Sequence, residues 1–266
     1  MFNNNRTFGV EIEFIGNAGT VEGAVRRAGV NCSAEIYNHT TRGYWKIVTD
    51  GSVMGNGEGL EMVSPPLKGQ EGLDELEKVC KAMAEAGVRI NKTCGLHVHH
   101  DANDFTEKTF KNIIKIYRRF EGTIDTLVSQ SRRANANTYC KSLLDNREYG
   151  PALMQSDSVM DIISRTPDRY RKLNLKSYTT HGTIEFRQHQ GTAEFIKIAN
   201  WIKLTQAMVE RAVTRNVKEG LINDWETFKY FLFLNPSATN RVSSYDNETK
   251  EMFKYFNKRR AELAVA

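Results

Sequence analysis

Three well-separated segments of this chain interleave apolar residues with ionisable ones. They are Gly9-Val10-Glu11-Ile12-Glu13-Phe14, Cys94-Gly95-Leu96-His97-Val98-His99-His100 and Gly182-Thr183-Ile184-Glu185-Phe186-Arg187. A strand turns successive side chains to opposite faces, so Glu11 shares a face with Glu13, His97 with His99, and Glu185 with Arg187. An ordinary half-buried strand sets neutral polar groups outside. These strands carry carboxylate, imidazole and guanidinium instead. The pattern calls for a sheet with one apolar and one charged face. Grouped on that face, the charged residues would make a metal and phosphate site.

Each segment also has a plainer reading. Glu11 and Glu13 are hard oxygen donors suited to Mg²⁺, or simply a solvated strand face. His97 and His99 suit a metal or one metal and one substrate contact, or form a hydrogen-bonded structural pair. His100 points to the other face and reads as structural. Glu185 can ligate metal while Arg187 forks around phosphate oxygens, or the two serve a cross-strand ion pair. The cations Arg165, Arg169, Arg171, Lys172 and Lys176 precede that strand and resemble a polyphosphate clamp, with a solvated basic face as the alternative. Glu61 lies in Gly59-Leu60-Glu61-Met62-Val63-Ser64-Pro65-Pro66, where the diproline fixes the exit of the strand. Asp50 and Ser52 sit in a turn. Cys94 alternates away from His97, which argues against a nucleophile beside it. The glycines of 51–59 lack the Lys-Ser/Thr ending of a P-loop, and no GxSxG, HExxH, Rossmann or zinc-finger spacing occurs.

Periodicity and punctuation predict strands over 6–15, 60–64, 95–101 and 182–189, and paired strands over 35–49. Helices are expected over 20–30, 71–87, 106–129, 156–165, 198–212, 225–234 with Asp224 as N-cap, and 247–263. Trp201 and Met208 belong to the core. Segment 130–150, with Arg132, Arg133, Lys141 and Arg147, reads as mostly loop, and 169–178 as partly extended. Strands and helices mix throughout with no linker or repeat. The expectation is one α+β domain over 1–266, with an antiparallel-rich sheet, helices on one face and charged residues on the other.

At 266 residues the chain suits a full core. Lys plus Arg is 37 against 32 Asp plus Glu, giving +5, which favours an anionic ligand but is too small to argue for nucleic acid. No apolar run is long enough to span a membrane, and Met1 to Arg6 lack a signal-peptide core, so a cytoplasmic protein is expected. The four cysteines form no CxxC and read as free thiols.

Taken in order, the ExE strand, the Asp-Gly-Ser turn, the Glu-x-Val-Ser-Pro-Pro strand, Gly-Leu-His-Val-His and Thr-Ile-Glu-Phe-Arg resemble the amidoligase family. That family falls within the glutamine synthetase and glutamate–cysteine ligase superfamily. Ser131-Arg132-Arg133 through Tyr139-Cys140-Lys141, and Arg169-Tyr170-Arg171-Lys172-Leu173-Asn174-Leu175, are also similar to family segments. The resemblance runs over about 7–210 and leaves 220–266 as a helical extension. It implies a curved, glutamine synthetase-like antiparallel sheet whose concave face holds ATP and Mg²⁺ or Mn²⁺. It also implies an ATP-dependent carboxylate–amine ligase working through an acyl phosphate on small-molecule or peptide substrates. On the matching motifs, Glu13 and Glu61 would share one metal position, with Glu58 or Asp50 as a third ligand. Glu11, His97 and Glu185 would hold a second metal, and Glu13, Glu185 and Arg187 would be catalytic. Arg187, helped by Arg169 and Arg171, would bind the transferred phosphoryl group. His99 would meet nucleotide or substrate. Asp50, Ser52, Arg132 and Arg133 are candidate substrate contacts, and 130–150 a cover over the site. The chain lacks the separate N-terminal domain of a glutamine synthetase, so that enzyme's ring assembly is not expected. Two other readings stand beside this one. A metal-dependent hydrolase would use His97, His99 and the glutamates around Zn²⁺ or Mn²⁺. A nucleic-acid or partner-binding module would exploit the positive charge.

Overall fold

A computed structural model describes residues 2–145, 149–217, 220–233 and 245–265. Its centre is strand β1 (Thr7–Gly16), which pairs antiparallel with β4 (Glu58–Val63) on one side and β6 (Gly95–Asp101) on the other. The short β5 (Leu67–Lys68) also pairs with β1. Outside β4 lies β3 (Trp45–Thr49), followed by β2 (Cys32–Ala34), which runs parallel to β3. Beyond β6 lie β8 (Thr183–Gln190) and β7 (Leu173–Asn174). The sheet is therefore mixed and open, in the order β2-β3-β4-β1-β6-β8-β7.

Period-two alternation gives this sheet two unlike faces. Val10, Ile12, Phe14, Ile47, Leu60, Met62, Leu96, Val98, Ile184 and Phe186 face the core and are buried. Helices α1 (Ala18–Arg27), α2 (Gly69–Glu85), α3 (Glu107–Asp125) and α7 (Phe195–Thr214) cover that face with their apolar stripes. Each is punctuated as its sequence suggests: Asn17 caps Thr20 N, Thr106 caps Thr109 N, and Gly87 follows α2 at φ 69°. Helices α8 (Trp225–Phe233) and α9 (Asn247–Ala264) add Trp225, Phe228, Met252, Phe253 and Phe256 to the same core. Among the described residues, no helix is long and apolar enough to cross a membrane.

One expectation is corrected. Residues 35–49 are not paired strands, because only 45–49 is extended in the sheet. Before it, the polar run Asn38-His39-Thr40-Thr41-Arg42 satisfies itself instead of a ladder. Glu35 accepts from Asn38 Nδ2, Arg42 Nη2 and Tyr44 Oη at 2.9, 3.0 and 2.5 Å. Lys46 Nζ donates to Asn38 and Thr40 carbonyls. The segment 169–178 is partly extended, as expected: Arg171 bridges to Lys141 and β7 follows, before a short helix α6 (Ser177–His181), which Gly182 ends at φ 66°. Between α3 and β7 lie a 3₁₀ turn (Gln130–Arg132) and two short helices, α4 (Pro151–Met154) and α5 (Val159–Arg165). Most of the rest of 130–145 is loop, as expected, and Arg147 lies outside the described residues.

Candidate functional site

Register alone brings the charged residues together. Glu13 lies across from Glu61 in the β1–β4 ladder, and Glu11 across from His97 in the β1–β6 ladder. His99 lies across from Glu185 in the β6–β8 ladder. A register shift in that ladder, between Leu96 and Val98, marks a bulge beside His97. On the outer side, β3 sends Lys46 and Val48 to the same face.

The side chains then interlock. His97 Nδ1 sits 2.9 Å from Glu11 Oε2 and 3.4 Å from Glu185 Oε1, while its Nε2 is 3.4 Å from Glu13 Oε1. His99 Nε2 lies 3.3 Å from Glu11 Oε1, and its Nδ1 is held by Thr183 and Ser177 hydroxyls at 2.9 and 3.2 Å. Glu13 Oε2 accepts from Gly95 N–H at 2.5 Å. Glu185 accepts from Asn174 Nδ2 at 2.5 Å and from Arg187. Among the described residues, three sets of donor atoms lie within 4.8 Å of one another: Glu11, His99 and Glu185; Glu11, Glu61 and His97; and Glu13, Asp50 and Glu61. Asp50 is fixed in its turn by accepting from Ser52 N and Oγ, both at 2.7 Å. Glu58, the other candidate third acid, is exposed and is in none of these sets.

Charge is unbalanced here. Burial, then repulsion from Glu11, Glu13 and Asp50, pushes the Glu61 carboxyl well above the usual range. Burial alone would raise Glu11, but the His99 and His97 imidazoles outweigh it and hold that carboxyl well below. Burial opposes ionisation of Glu185 too, and Arg187 overrides it. Burial would lower His99, and Glu11 reverses the direction. Buried carboxylates this close to one another are the kind of donor set that a divalent cation neutralises. The donors, mostly carboxylate oxygens with two imidazoles, fit a hard or borderline divalent cation such as Mg²⁺ or Mn²⁺.

This cluster floors a cavity of about 790 Å³. Glu11, Glu13, Asp50, Ser52, Glu61, His97, His99, Glu185, Arg132, Arg169 and Arg187 all line it. Arg132 is buried and donates to Cys94 O at 2.6 Å. It can lie there because Gly95 has no side chain: a Cβ would meet Arg132 Nη2 and His97 Nε2 at 3.1 Å. Four other cations do not reach the cavity. Arg171 pairs with Asp168 at 3.0 Å. Lys172 is fully buried against Glu121 and Asp125 at 2.9 and 2.6 Å. Arg165 pairs with Asp161 along its own helix. Arg133 donates to Val128 O and Leu263 O at 3.0 and 3.1 Å, tying its loop to the end of α9.

Sequence reasoning gave no site role to Lys46, Asn174 or Tyr139, which line the cavity together with the loop 37–42. Lys46 carried a usable signal, since Trp45-Lys46-Ile47-Val48 alternates like the other strands. Asn174 had a weaker one, a lone amide between Leu173 and Leu175.

Residues 4–209 match a protein family described as "Putative amidoligase enzyme". A search of curated proteins finds no match. Among solved structures, the chain is similar to a bifunctional glutathione synthetase from Pasteurella multocida, at 13% identity and a TM-score of 0.43. That similarity covers 97% of this chain and 46% of the other, so the chain spans less than half of that protein's length.

Proposed function

Because the chain belongs to the amidoligase enzyme family, we propose that it is an ATP-dependent carboxylate–amine ligase acting on small-molecule or peptide substrates. The carrying observation is the convergence of Glu11, Glu13, Glu61, Glu185, His97, His99 and Arg187 on one sheet face within one cavity. The sheet then serves as a glutamine synthetase-like catalytic sheet, and 1–266 as one catalytic domain, a reading supported by the shared core that α8 and α9 enter.

In this reaction a substrate carboxylate oxygen attacks the terminal phosphorus of ATP and ADP departs. An amine nitrogen then attacks the acyl carbon, phosphate leaves, and the nitrogen loses a proton. Glu13, Asp50 and Glu61 would hold one divalent cation; Glu11 and Glu185 with His97 or His99 would hold another. Such cations neutralise polyphosphate charge and polarise phosphoryl oxygens.

The chain's own residues supply the rest. Arg187 keeps its charge at any working pH and is anchored by Glu185 and, at 3.2 Å, by the Tyr139 carbonyl, so its fork is fixed before phosphate arrives. Arg132 adds a second fixed guanidinium against the floor. The hydroxyls of Thr183 and Ser177 occupy His99 Nδ1 and leave Nε2 for the cluster. The hydrolase alternative suits nitrogen-rich zinc sites, and here carboxylates outnumber imidazoles in every set.

Thermal shift tests the reading. A ligand bound only by the folded state raises apparent stability. Wild type should respond to ATP only with Mg²⁺, and Glu185→Gln should lose that response. No nucleotide response in either metal condition overturns the proposal.

A further inference from the structure

One part of the cavity carries chemistry that phosphoryl transfer leaves unused. Tyr139 and Tyr170 both line it, with ring centroids 5.6 Å apart and planes at 72°. Tyr139 is 46% exposed, as is 49% of Tyr37 on the 35–44 loop. Rings this open present area that a planar ligand can cover. The perpendicular pair forms a corner, with one ring's face and the other's edge available to a planar group.

The corner is rigid and cationic. Tyr139 N donates to Asn137 Oδ1 at 2.8 Å, and Tyr170 N donates to Asp168 Oδ1 at 2.7 Å. Lys141 N donates to Tyr170 O at 2.9 Å, so the two tyrosine segments are joined by backbone. The Arg169 guanidinium lies 5.2 Å from the Tyr170 ring centroid, and Arg187 Nε donates to the Tyr139 carbonyl at 3.2 Å. One ring thus lies under the Arg169 guanidinium, and the backbone of the other anchors Arg187. The complementary ligand is a flat aromatic group attached to a polyanion.

We infer that Tyr139 and Tyr170 form the stacking corner for the purine base of a nucleoside triphosphate, whose phosphates extend past Arg169 to Arg187. The inference rests on the ligase reading and adds to it the place and chemistry of base recognition. The corner offers ring faces rather than a pattern of donors, so it selects a purine over no base at all.

The experiment is calorimetric titration of the full chain with Mg-ATP and, separately, Mg-tripolyphosphate. Wild type should bind ATP about five- to a hundredfold more tightly, the range expected for one stacked base. Tyr139→Ala and Tyr170→Ala should each erase most of that preference while leaving tripolyphosphate affinity within about twofold. Tyr139→Phe should keep the preference, because stacking needs the ring and not the hydroxyl. Tyr139→Leu, which keeps apolar bulk, should lose it, and circular dichroism confirms that each variant is folded. Equal affinity of wild type for both probes overturns the stacking corner and leaves the ligase reading intact. So does an undiminished ATP preference in the folded alanine variants. Failure of wild type to bind either probe overturns both.

Discussion

Glu61 faces Glu13 directly across the β1–β4 ladder, two carboxylates on one side of one sheet. Like charges placed so destabilise a sheet by about 0.2–1 kcal/mol unless a cation lies between them. Glu61→Gln should therefore raise the melting temperature of the metal-free protein by about 1–4 °C. The same substitution should blunt the stabilisation that MgCl₂ or MnCl₂ gives wild type. Scanning fluorimetry with and without each salt reads both effects. A metal-free protein that melts lower after the substitution would contradict this account.

In the proposed reaction Arg187 would act through a planar fork that a lysine cannot copy. Arg187→Lys keeps the charge beside Glu185 and should leave the fold intact. ATP turnover should still fall about a hundredfold or more, as when one preorganised donor is lost from a transition state. Coupled ADP-release kinetics on the variant make the check, and near wild-type turnover would remove Arg187 from the chemistry.

Lys172 is fully buried between Glu121 and Asp125 and so works in the frame, not in the cavity. Removing one partner of such a group strands buried charge. Lys172→Met should cost about 3–5 kcal/mol in urea denaturation. Adding Glu121→Leu to Lys172→Met should recover part of that loss, because it removes one of the two carboxylates left without a partner. A loss below about 1 kcal/mol in the single variant would show the network to be dispensable.

His189 sets a pH limit on stability. Burial against Trp201 holds its imidazole down at about 3, from an ordinary 6.5. The unfolded chain therefore takes up this proton before the folded one does. The stability it contributes is complete above about pH 6.5 and is lost as pH falls toward 3, at about 1.4 kcal/mol per pH unit. His189→Gln should flatten the acid limb of a stability–pH curve by about one proton. An unchanged slope would rule out His189 as its source.

The charged face was legible because period two is a strict geometric rule and each of β1, β6 and β8 buries its alternate residues. Once Val10, Ile12 and Phe14 face the helices, Glu11 and Glu13 have only one side left. The cations were harder, because residue type does not say which side of the sheet a basic segment falls on. Lys172 finds Glu121 51 positions away, and Arg133 finds the Leu263 carbonyl 130 positions away. Nothing local announces either bond. Asp50 was undecided against Glu58 for a similar reason, since its approach to Glu13 depends on how β3 and β4 pair. The 35–44 loop was misread because Tyr44 and its aromatic and β-branched neighbours favour strand. Glu35 gathers Asn38, Arg42 and Tyr44 into a self-contained turn instead.

The family match stops at residue 209, yet Arg133, next to the cavity residue Arg132, is bonded to the far end of α9. Arg260 on that helix donates to Thr126 Oγ1 at 3.0 Å, on the near side of the same segment. A chain trimmed to the matched region would sever both ties and leave Arg133 without its Leu263 acceptor. The outline drawn by shared ancestry is therefore narrower than the folded unit, and a tag or cut near α9 would reach the segment beside Arg132 through two arginines.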